Sequence, residues 1–569
     1  MHEAGEFKLK VPQTGIDDFI EIRDGDYYFV DKSELISDIV DDRNKVYLFT
    51  RPRRFGKSLN LSMINAFFNT NYKGNTWFDD LKVSEHENCT KLKNTFPVIF
   101  ISMKELGIRD FNLFLSDVAT RMSELFGDFR YLSDSNKIDQ IYKDSFIAIR
   151  KKESNESDLK NSLKFLCKML ELHHGVKPIV LIDEYDNPIN SSFNEGSYEQ
   201  ILSFLKGFYS SVLKSNTHMS FAVVTGIMQI AKESIFSGLN NLSVNNIFTE
   251  DFDERYGFTE SEVKEILTYY ERPEKFAIAK EWYDGYRFGN AEIYNPWSIF
   301  SYVYEDFKAK AYWINTSGNK IIHTLIDNAT DEVYQNLTNI ANGEKVIAQL
   351  NPAISMRDVN SNPNTVYSVM AVAGYLNAVP VGNEDDEDFD EDEYDIYSIS
   401  IPNKEVRRTF SNMMAERLFN RGYNVFNIML KALEKGDVQG VENSLRELLY
   451  NSVPSIVLKD EGDYQLIVAT AAMNTKGRYE IYMEREAGNG RSDMIMKHKI
   501  PGIPDIVIEF KKSKSKSDDE TIQLKEAEEA IEQIKSREYS YGLGKNLILY
   551  GICFNGKKPK VVMKHILCD

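Results

Sequence analysis

The chain has 569 residues, of which 42% are hydrophobic and 12% aromatic, and a formal net charge of −19 at pH 7. This length exceeds what a single hydrophobic core supports and predicts three or four domains. Four scattered cysteines, eight histidines without an HExxH motif and the lack of an apolar run of bilayer length argue against disulfide-rich, zinc and membrane proteins.

Short apolar runs alternate with helical patterns over the first 250 residues. The predicted strands are 27–30, 46–50, 96–102, 179–182 and 221–224, and the predicted helices include 34–40, with Ser33 as its N-cap, and 198–213. This alternation predicts a parallel α/β sheet covered by helices on both faces.

A candidate phosphate-binding loop follows the second of these strands. Gly56-Lys57-Ser58 joins the strand to a helical pattern. In such a loop, backbone N–H groups face an anion, Lys57 reaches the β- and γ-phosphates and Ser58 holds Mg²⁺. The usual motif has glycine five residues before Gly56, where this chain has Arg51. The alternative is a solvated basic turn before an amphipathic helix.

Two acids at the end of a later strand support the first interpretation. Residues 179–182 are apolar and lead directly into Asp183 and Glu184. Open α/β sheets bind ligands at the carboxyl ends of their strands. In a nucleotide hydrolase the first acid anchors Mg²⁺ and the second polarises the attacking water. Thr225, after strand 221–224, is in the position expected of a γ-phosphate sensor; a simple turn is the alternative.

The middle of the chain is mainly helical. Thr259 and Glu262 have the spacing of a capping box. Aromatic residues cluster over 282–297, and we expect them to pack in a helical lid rather than to stack on bases. A helix over 366–379, ending near Gly374, and a strand over 396–401 suggest a small winged-helix module. Residues 384–395 contain ten acids and no base, so about half of the net charge lies in one solvated insertion.

The last 120 residues indicate a separate compact α/β domain. Asp493 opens one predicted strand, and Glu509 and Lys511 lie two apart on the next, so they share a face. Two carboxylates and a lysine can hold Mg²⁺ and activate water for phosphodiester hydrolysis. Glu486 is a third candidate carboxylate, and Lys497, Lys499, Lys512, Lys514 and Lys516 add positive charge for a phosphate backbone. The alternative is a surface ion pair on an amphipathic strand.

Both halves resemble known families. The stretches YYFVDKSELI, FTRPRRFGKSLNLSM, VLIDEYDNPI and VVTGIMQIAKESIFSGLNN resemble the predicted AAA-ATPase-like family of bacteria, which carries the same arginine in place of the first glycine. EREAGNGRSD, DIVIEFK and AIEQI resemble the PD-(D/E)XK nuclease superfamily. The resemblance implies a P-loop ATPase core (1–250) and a restriction-endonuclease-like domain (411–569). Together with the helical lid (251–345) and the winged-helix module (346–410, insertion 383–395) that the patterns between them suggest, the predicted fold is multidomain α/β.

The same resemblance implies roles for individual residues. Glu184, Asp493, Glu509, Lys511 and Gln533 are the expected catalytic residues. Ser58 and Asp183 would hold the Mg²⁺ that accompanies ATP, and Asp493 and Glu509 would hold Mg²⁺ or Mn²⁺. Tyr539 lies six positions after Gln533, wider than a QxxxY motif, and Arg255 is only a guess for an arginine finger. The expected nucleotide-binding residues are Arg51, Pro52, Arg53, Arg54, Phe55, Gly56, Lys57, Ser58, Leu59, Asp183 and Thr225.

The function expected from the sequence is an ATP-controlled, Mg²⁺-dependent nuclease in the cytoplasm, with defence or mobile-element roles by association. Its partner would be nucleic acid, with DNA favoured over RNA, and no membrane; the oligomeric state, a homo-oligomer included, is open. A nucleotide-dependent switch that binds nucleic acid or protein without cutting is the alternative. A third hypothesis is an interaction protein in which both sites have lost their activity. It is opposed by the presence of every expected residue at both sites: Lys57, Ser58, Asp183 and Glu184 at the first, and Asp493, Glu509 and Lys511 at the second.

Overall fold

The computed structural model describes residues 9–567 except 107–109, 194, 231–241, 314–319, 342, 355–361, 382–395, 453–463, 466–467, 469–477, 488–489, 501–502, 516–518 and 540–542. The chain forms two compact units: Met1–Ala329 with Val346–Thr409, and Thr330–Lys345 with Phe410–Asp569. The predicted division into four domains stays a prediction. Among the helices in these ranges, none has the length and apolar character needed to span a membrane.

The secondary structure follows chain order. The strands are β1 (Val46–Thr50), β2 (Val98–Ser102), β3 (Ile179–Asp183), β4 (Ala222–Gly226), β5 (Gln229–Ile230), β6 (Leu242–Asn245), β7 (Tyr286–Phe288), β8 (Ala291–Ile293), β9 (Val346–Gln349), β10 (Ala353–Ile354), β11 (Asn377–Pro380), β12 (Ile396–Ser400), β13 (Tyr479–Ala487), β14 (Gly490–His498), β15 (Asp505–Lys512), β16 (Asn546–Asn555) and β17 (Lys558–Leu567). The helices are α1 (Phe19–Asp24), α2 (Glu34–Asp42), α3 (Lys57–Phe68), α4 (Glu87–Leu92), α5 (Phe111–Asp128), α6 (Gln140–Arg150), α7 (Glu156–His174), α8 (Asn187–Ser192), α9 (Tyr198–Leu213), α10 (Glu260–Tyr269), α11 (Phe276–Tyr283), α12 (Pro296–Tyr304), α13 (Lys320–Asn328), α14 (Asp331–Ala341), α15 (Pro363–Val372), α16 (Lys404–Lys435), α17 (Val438–Ser452) and α18 (Glu520–Ser536).

The first unit is built on a parallel sheet with strand order β2-β3-β4-β1-β6. Strands β1, β3 and β4 are buried along their whole length, because helices cover a parallel sheet on both faces. This confirms the predicted α/β core. Since β4 lies between β1 and β3, the carboxyl ends of the three strands meet at one edge of the sheet.

Three local predictions differ from the structure. Residues 27–30 make a single bridge, Pro12 to Tyr28, rather than a strand. Ser33 does not cap α2; its Oγ accepts the N–H of Val83 at 3.1 Å. The helix predicted over 366–379 ends at Val372, because Gly374 adopts φ 88° and the chain then forms β11.

The residues predicted to form a helical lid surround an aromatic cluster. Thr259 and Glu262 form the predicted capping box at the start of α10. Tyr283 and Tyr294 are buried in a cluster with side chains of α10, α11 and α12, as predicted. Strands β11, β12 and β9 form an antiparallel sheet, and a winged-helix identity for this region stays a prediction. The acidic insertion, between β11 and β12 along the chain, lies outside the described residues.

The second unit contains a sheet of order β13-β14-β15-β16-β17, in which only β15 and β16 pair in parallel. Side chains alternate between two apolar clusters: Ile508 and Phe510 point to one side, with residues of α16 and α17, and Val507 points to the other, with residues of α18. Gly551 lets α18 approach β16, since a Cβ there would lie 2.0 Å from the Ala527 carbonyl oxygen.

Candidate functional site

The loop between β1 and α3 contains two left-handed backbone positions. Arg54 has φ 68° and Gly56 has φ 84°. Left-handed residues beside right-handed ones turn successive N–H groups into a shared concavity, which is an anion-binding nest. Among the residues that the structure describes, the N–H groups of Arg54, Phe55 and Gly56 have no hydrogen-bond acceptor. These donors lie at the N-terminal end of α3, where the helix dipole also favours an anion.

Lys57 is buried inside the loop. Its Nζ donates to the carbonyl oxygens of Arg51 at 2.9 Å and Pro52 at 2.8 Å. Burial, the largest effect, lowers the pKa of Lys57 to about 8. Nearby carboxylates raise it, and Asp183 contributes the most among them. An ammonium group has three N–H donors, so one remains for an anion bound over the loop.

Ser58, Asp183 and Thr225 form a hydrogen-bonded cluster at the sheet edge. The Ser58 hydroxyl donates to Asp183 Oδ2 at 2.6 Å, and the Thr225 hydroxyl donates to Asp183 Oδ1. Hydroxyl and carboxylate oxygens are ligands that Mg²⁺ prefers, so Ser58 and Asp183 fit the ion that accompanies ATP. Thr225 is fully buried, and its hydroxyl orients Asp183.

Two more carboxylates follow Asp183. Glu184 has φ 51° and its Oε2 accepts from Asn187 at 2.7 Å; it lines the cavity described below. Asp186, which the sequence reasoning missed, is buried and accepts two backbone N–H groups of the segment after β4. Burial raises the pKa of Asp186. The sequence could have indicated Asp186 as a site residue because it is the last acid of the DEYD run after β3. In the structure its carboxylate links the end of β3 to the end of β4.

Arg51, in the place of the usual loop glycine, does not line the cavity over the loop that is described below. It is 0% exposed, and its guanidinium donates to the carbonyl oxygens of Thr50 at 3.0 Å and Asn245 at 2.8 Å. It also lies 5.3 Å from the ring centroid of Tyr256 and 5.1 Å from that of Phe288. Burial lowers the pKa of Arg51 to about 10. The side chain therefore anchors the loop to β6 from behind.

A cavity of about 550 Å³ lies over the loop, a size typical of small-molecule sites. Arg54, which lines it, stacks 4.3 Å from the ring centroid of Trp297, so this tryptophan contributes to the cavity as well as to the aromatic cluster of α10, α11 and α12. Arg255 also lines the cavity, but its guanidinium is paired with Asp38 and Glu34. The wall further contains Arg53, Phe55, Gly56, Lys57, Ser58, Leu59 and the aromatic residues Phe29, Phe258 and Phe300.

The second unit brings four predicted site residues together on the α18 side of its sheet. Lys511 Nζ lies 3.5 Å from Glu509 Oε1, which also accepts from the Gln533 amide. The Asp493 N–H donates to Glu509 Oε2 at 3.4 Å. The N–H of Phe510 donates to Asp493 Oδ2 at 2.8 Å. Residues two apart on β15 thus share a face, while the Phe510 side chain packs in the core behind them.

The electrostatics of this cluster favour a cation. Glu509 is 2% exposed, and burial together with the charge of Asp493 raises its pKa to about 7, although Lys511 lowers it. Two adjacent carboxylates are hard oxygen ligands that fit Mg²⁺ or Mn²⁺. Within the described ranges no group of three or more His, Cys, Asp or Glu residues could hold a metal, and the side chain of Glu486 is outside them. Tyr539 packs in the core.

Fold and site define a class for each unit. The first has a parallel sheet with a phosphate loop beside an acid-ended strand, as in P-loop nucleotide-binding domains. The second has the sheet and the Asp, Glu and Lys arrangement of restriction-endonuclease-like domains. Residues 13–236 match the model of the predicted AAA-ATPase family, and residues 459–564 match that of the PD-(D/E)XK nuclease superfamily. The chain therefore carries one domain of each.

Two similar proteins add context. An uncharacterized protein in the vnfD 5' region of Azotobacter chroococcum mcd 1 is 29% identical over 322 residues, which are 54% of each chain. The chain thus spans about half the length of this curated relative. A signal transduction ATPase with numerous domains and a tetratricopeptide repeat sensor, from Pyrococcus horikoshii, aligns over 79% of this chain and 56% of its own, with 12% identity and a TM-score of 0.25.

Proposed function

We propose that this protein binds and hydrolyses ATP and is a Mg²⁺-dependent nuclease that cleaves phosphodiester bonds of nucleic acid. The observation that carries the proposal is that each unit assembles one site of the required chemistry. Ser58 and Asp183 meet beside the phosphate loop, and Asp493, Glu509 and Lys511 meet on one face of the second sheet.

At the first site, the loop N–H groups and Lys57 bind the phosphates, and Ser58 and Asp183 hold Mg²⁺. The ion supplies positive charge at the phosphate oxygens. Glu184, on the cavity wall, orients and polarises the attacking water. Arg54, which is exposed and lines the cavity, gives it a further cation for the phosphates.

At the second site, Asp493 and Glu509 would hold Mg²⁺ or Mn²⁺, which would supply Lewis-acid chemistry and lower the pKa of water. Lys511 would orient the attacking water and stabilise the negative charge that develops on the phosphate. Gln533 orients Glu509 through its amide. Lysines near the site provide the positive charge that a nucleic-acid backbone requires, with DNA as the first substrate to test and RNA as the second.

One observation favours a second candidate, a nucleotide-dependent switch that binds nucleic acid or a protein partner without cutting it. Glu509 already accepts from Gln533 and pairs with Lys511. A carboxylate satisfied in this way needs no metal for the fold, so the cluster is compatible with a binding surface.

The experiment that separates the two candidates is a cleavage assay. Purified protein is incubated with Mg²⁺ or Mn²⁺, with and without ATP, on single- and double-stranded DNA and RNA. Metal-dependent cleavage by the wild type that is lost in Glu509→Ala supports the nuclease. Equal cleavage by both proteins would show that the site is elsewhere. Binding without cleavage under every metal and nucleotide condition would favour the switch.

A further inference from the structure

A tryptophan outside the phosphate loop holds one of the loop's peptide groups. The indole N–H of Trp313 donates to the carbonyl oxygen of Arg53 at 3.3 Å. In a trans peptide the C=O and the following N–H point in opposite directions. The bond that turns the Arg53 carbonyl towards Trp313 therefore turns the N–H of Arg54 away from it. In the described structure this N–H has no acceptor, and Arg54 lines the cavity.

Trp313 is itself fixed by several contacts. It is 4% exposed, and its backbone N–H and that of Tyr312 donate to Glu405 Oε1 at 2.7 and 2.5 Å. Its ring packs on Tyr375, with centroids 4.8 Å apart. An indole held at both its backbone and its ring can hold the loop carbonyl in one orientation.

A second contact supports the neighbouring loop residue. Gly374, adjacent to Tyr375, packs so closely on Pro52 that a Cβ at position 374 would lie 2.8 Å from Pro52 Cβ. Pro52 and Arg53 are thus contacted by Gly374 and Trp313, which are linked through the packing of Trp313 on Tyr375. The carbonyl oxygens of Arg51 and Pro52 in addition accept from Lys57.

The loop needs this support because of its sequence. Arg54 has φ 68°, a conformation that is disfavoured for residues with a Cβ and is freely adopted by glycine. A loop with arginine at this position is less able to keep the nest by backbone preference alone. An external hydrogen bond at the Arg53–Arg54 peptide supplies the missing restraint.

We infer that Trp313 is a positioning residue for the phosphate site: its indole N–H fixes the Arg53–Arg54 peptide so that the Arg54 N–H stays available to a phosphate oxygen. This rests on the proposed ATP binding. Without the indole donor the peptide can rotate and the nest loses one N–H. Losing one hydrogen bond to a charged phosphate should weaken ATP binding, so that the ATP dissociation constant rises about tenfold.

The test is a double-mutant cycle on the full chain, with ATP dissociation constants measured by calorimetry. Trp313→Phe keeps an aromatic ring and removes the N–H donor. The matched control is Trp282→Phe, at the edge of the aromatic cluster of α10, α11 and α12. We expect Trp313→Phe to weaken ATP binding about tenfold, and Trp282→Phe to leave it unchanged. In an Arg54→Gly background, where φ above zero is unstrained, the effect of Trp313→Phe should shrink to less than about twofold.

Equal affinities of wild type and Trp313→Phe would overturn the inference. So would an equal effect of Trp313→Phe in both backgrounds, since that would indicate a general structural role. If Trp313→Phe does not fold, hydrogen exchange of the wild type decides: the Arg54 amide should be protected by ATP, and lack of protection would refute the inference. A wild type that binds no ATP would refute the proposed function itself, a distinct outcome.

Discussion

Glu405 should make the first unit lose stability as the pH rises from about 4.5 to 8. This carboxyl is 0% exposed, and its oxygens accept from the Ser298 hydroxyl at 2.7 Å and from two backbone N–H groups. Burial, the largest cause, raises its pKa from 4.5 to about 7, although these three donors lower it. The neighbouring phenols of Tyr283, Tyr286 and Tyr312 have raised pKa values and stay neutral in this range.

The size of the effect follows from the two pKa values. Below pH 4.5 Glu405 is protonated in both states. Between 4.5 and 7 the unfolded chain releases the proton while the folded chain keeps it, so the free energy of unfolding falls with pH. The fall is about 3 kcal/mol, and it is complete once the pH exceeds the folded pKa.

The assay compares wild type and Glu405→Gln in denaturant titrations across this pH range. All four tryptophans, Trp77, Trp282, Trp297 and Trp313, lie in the first unit, so their fluorescence reports its unfolding. Gln does not titrate, so the free energy of unfolding of the variant lacks this pH dependence. Relative to the wild type, the variant should therefore gain about 3 kcal/mol in free energy of unfolding as the pH rises. Glu274→Gln, at an exposed position, is the control and should follow the wild type. Parallel curves for wild type and Glu405→Gln would refute the reasoning.

Three further predictions concern the two sites and the insertion. Lys57→Ala should abolish ATP binding in calorimetry, while Glu184→Gln should bind ATP and hydrolyse it about 10²-fold more slowly; unchanged affinity of the lysine variant would contradict the site. Replacing residues 384–395 with a Gly/Ser linker should leave the melting temperature nearly unchanged, since ten acids cannot form a core face; a large fall would show that the segment docks. Lys511→Ala should lose cleavage but still bind Mn²⁺, whereas Glu509→Ala should lose both; cleavage by the lysine variant at the wild-type rate would exclude its role.

The sequence by itself determined the features that depend on neighbours in the chain. The strand β1, the Gly56-Lys57-Ser58 loop and the start of α3 follow from local apolar and turn patterns, and the acids after β3 follow from their position at a strand end. The common face of Glu509 and Lys511 follows from the two-residue period of a strand. These features need no information about distant residues, because backbone geometry alone relates them.

Only the tertiary structure decided the direction of side chains that have several possible partners. Arg51 stands inside the loop motif, yet its guanidinium binds the carbonyl of Asn245 and lies against Tyr256 and Phe288. Ser33 has the right position for a helix cap but accepts from Val83. Trp313 reaches a loop 260 residues away. Such choices depend on which buried donors and acceptors the packed chain leaves to be satisfied, and a local pattern does not contain that information.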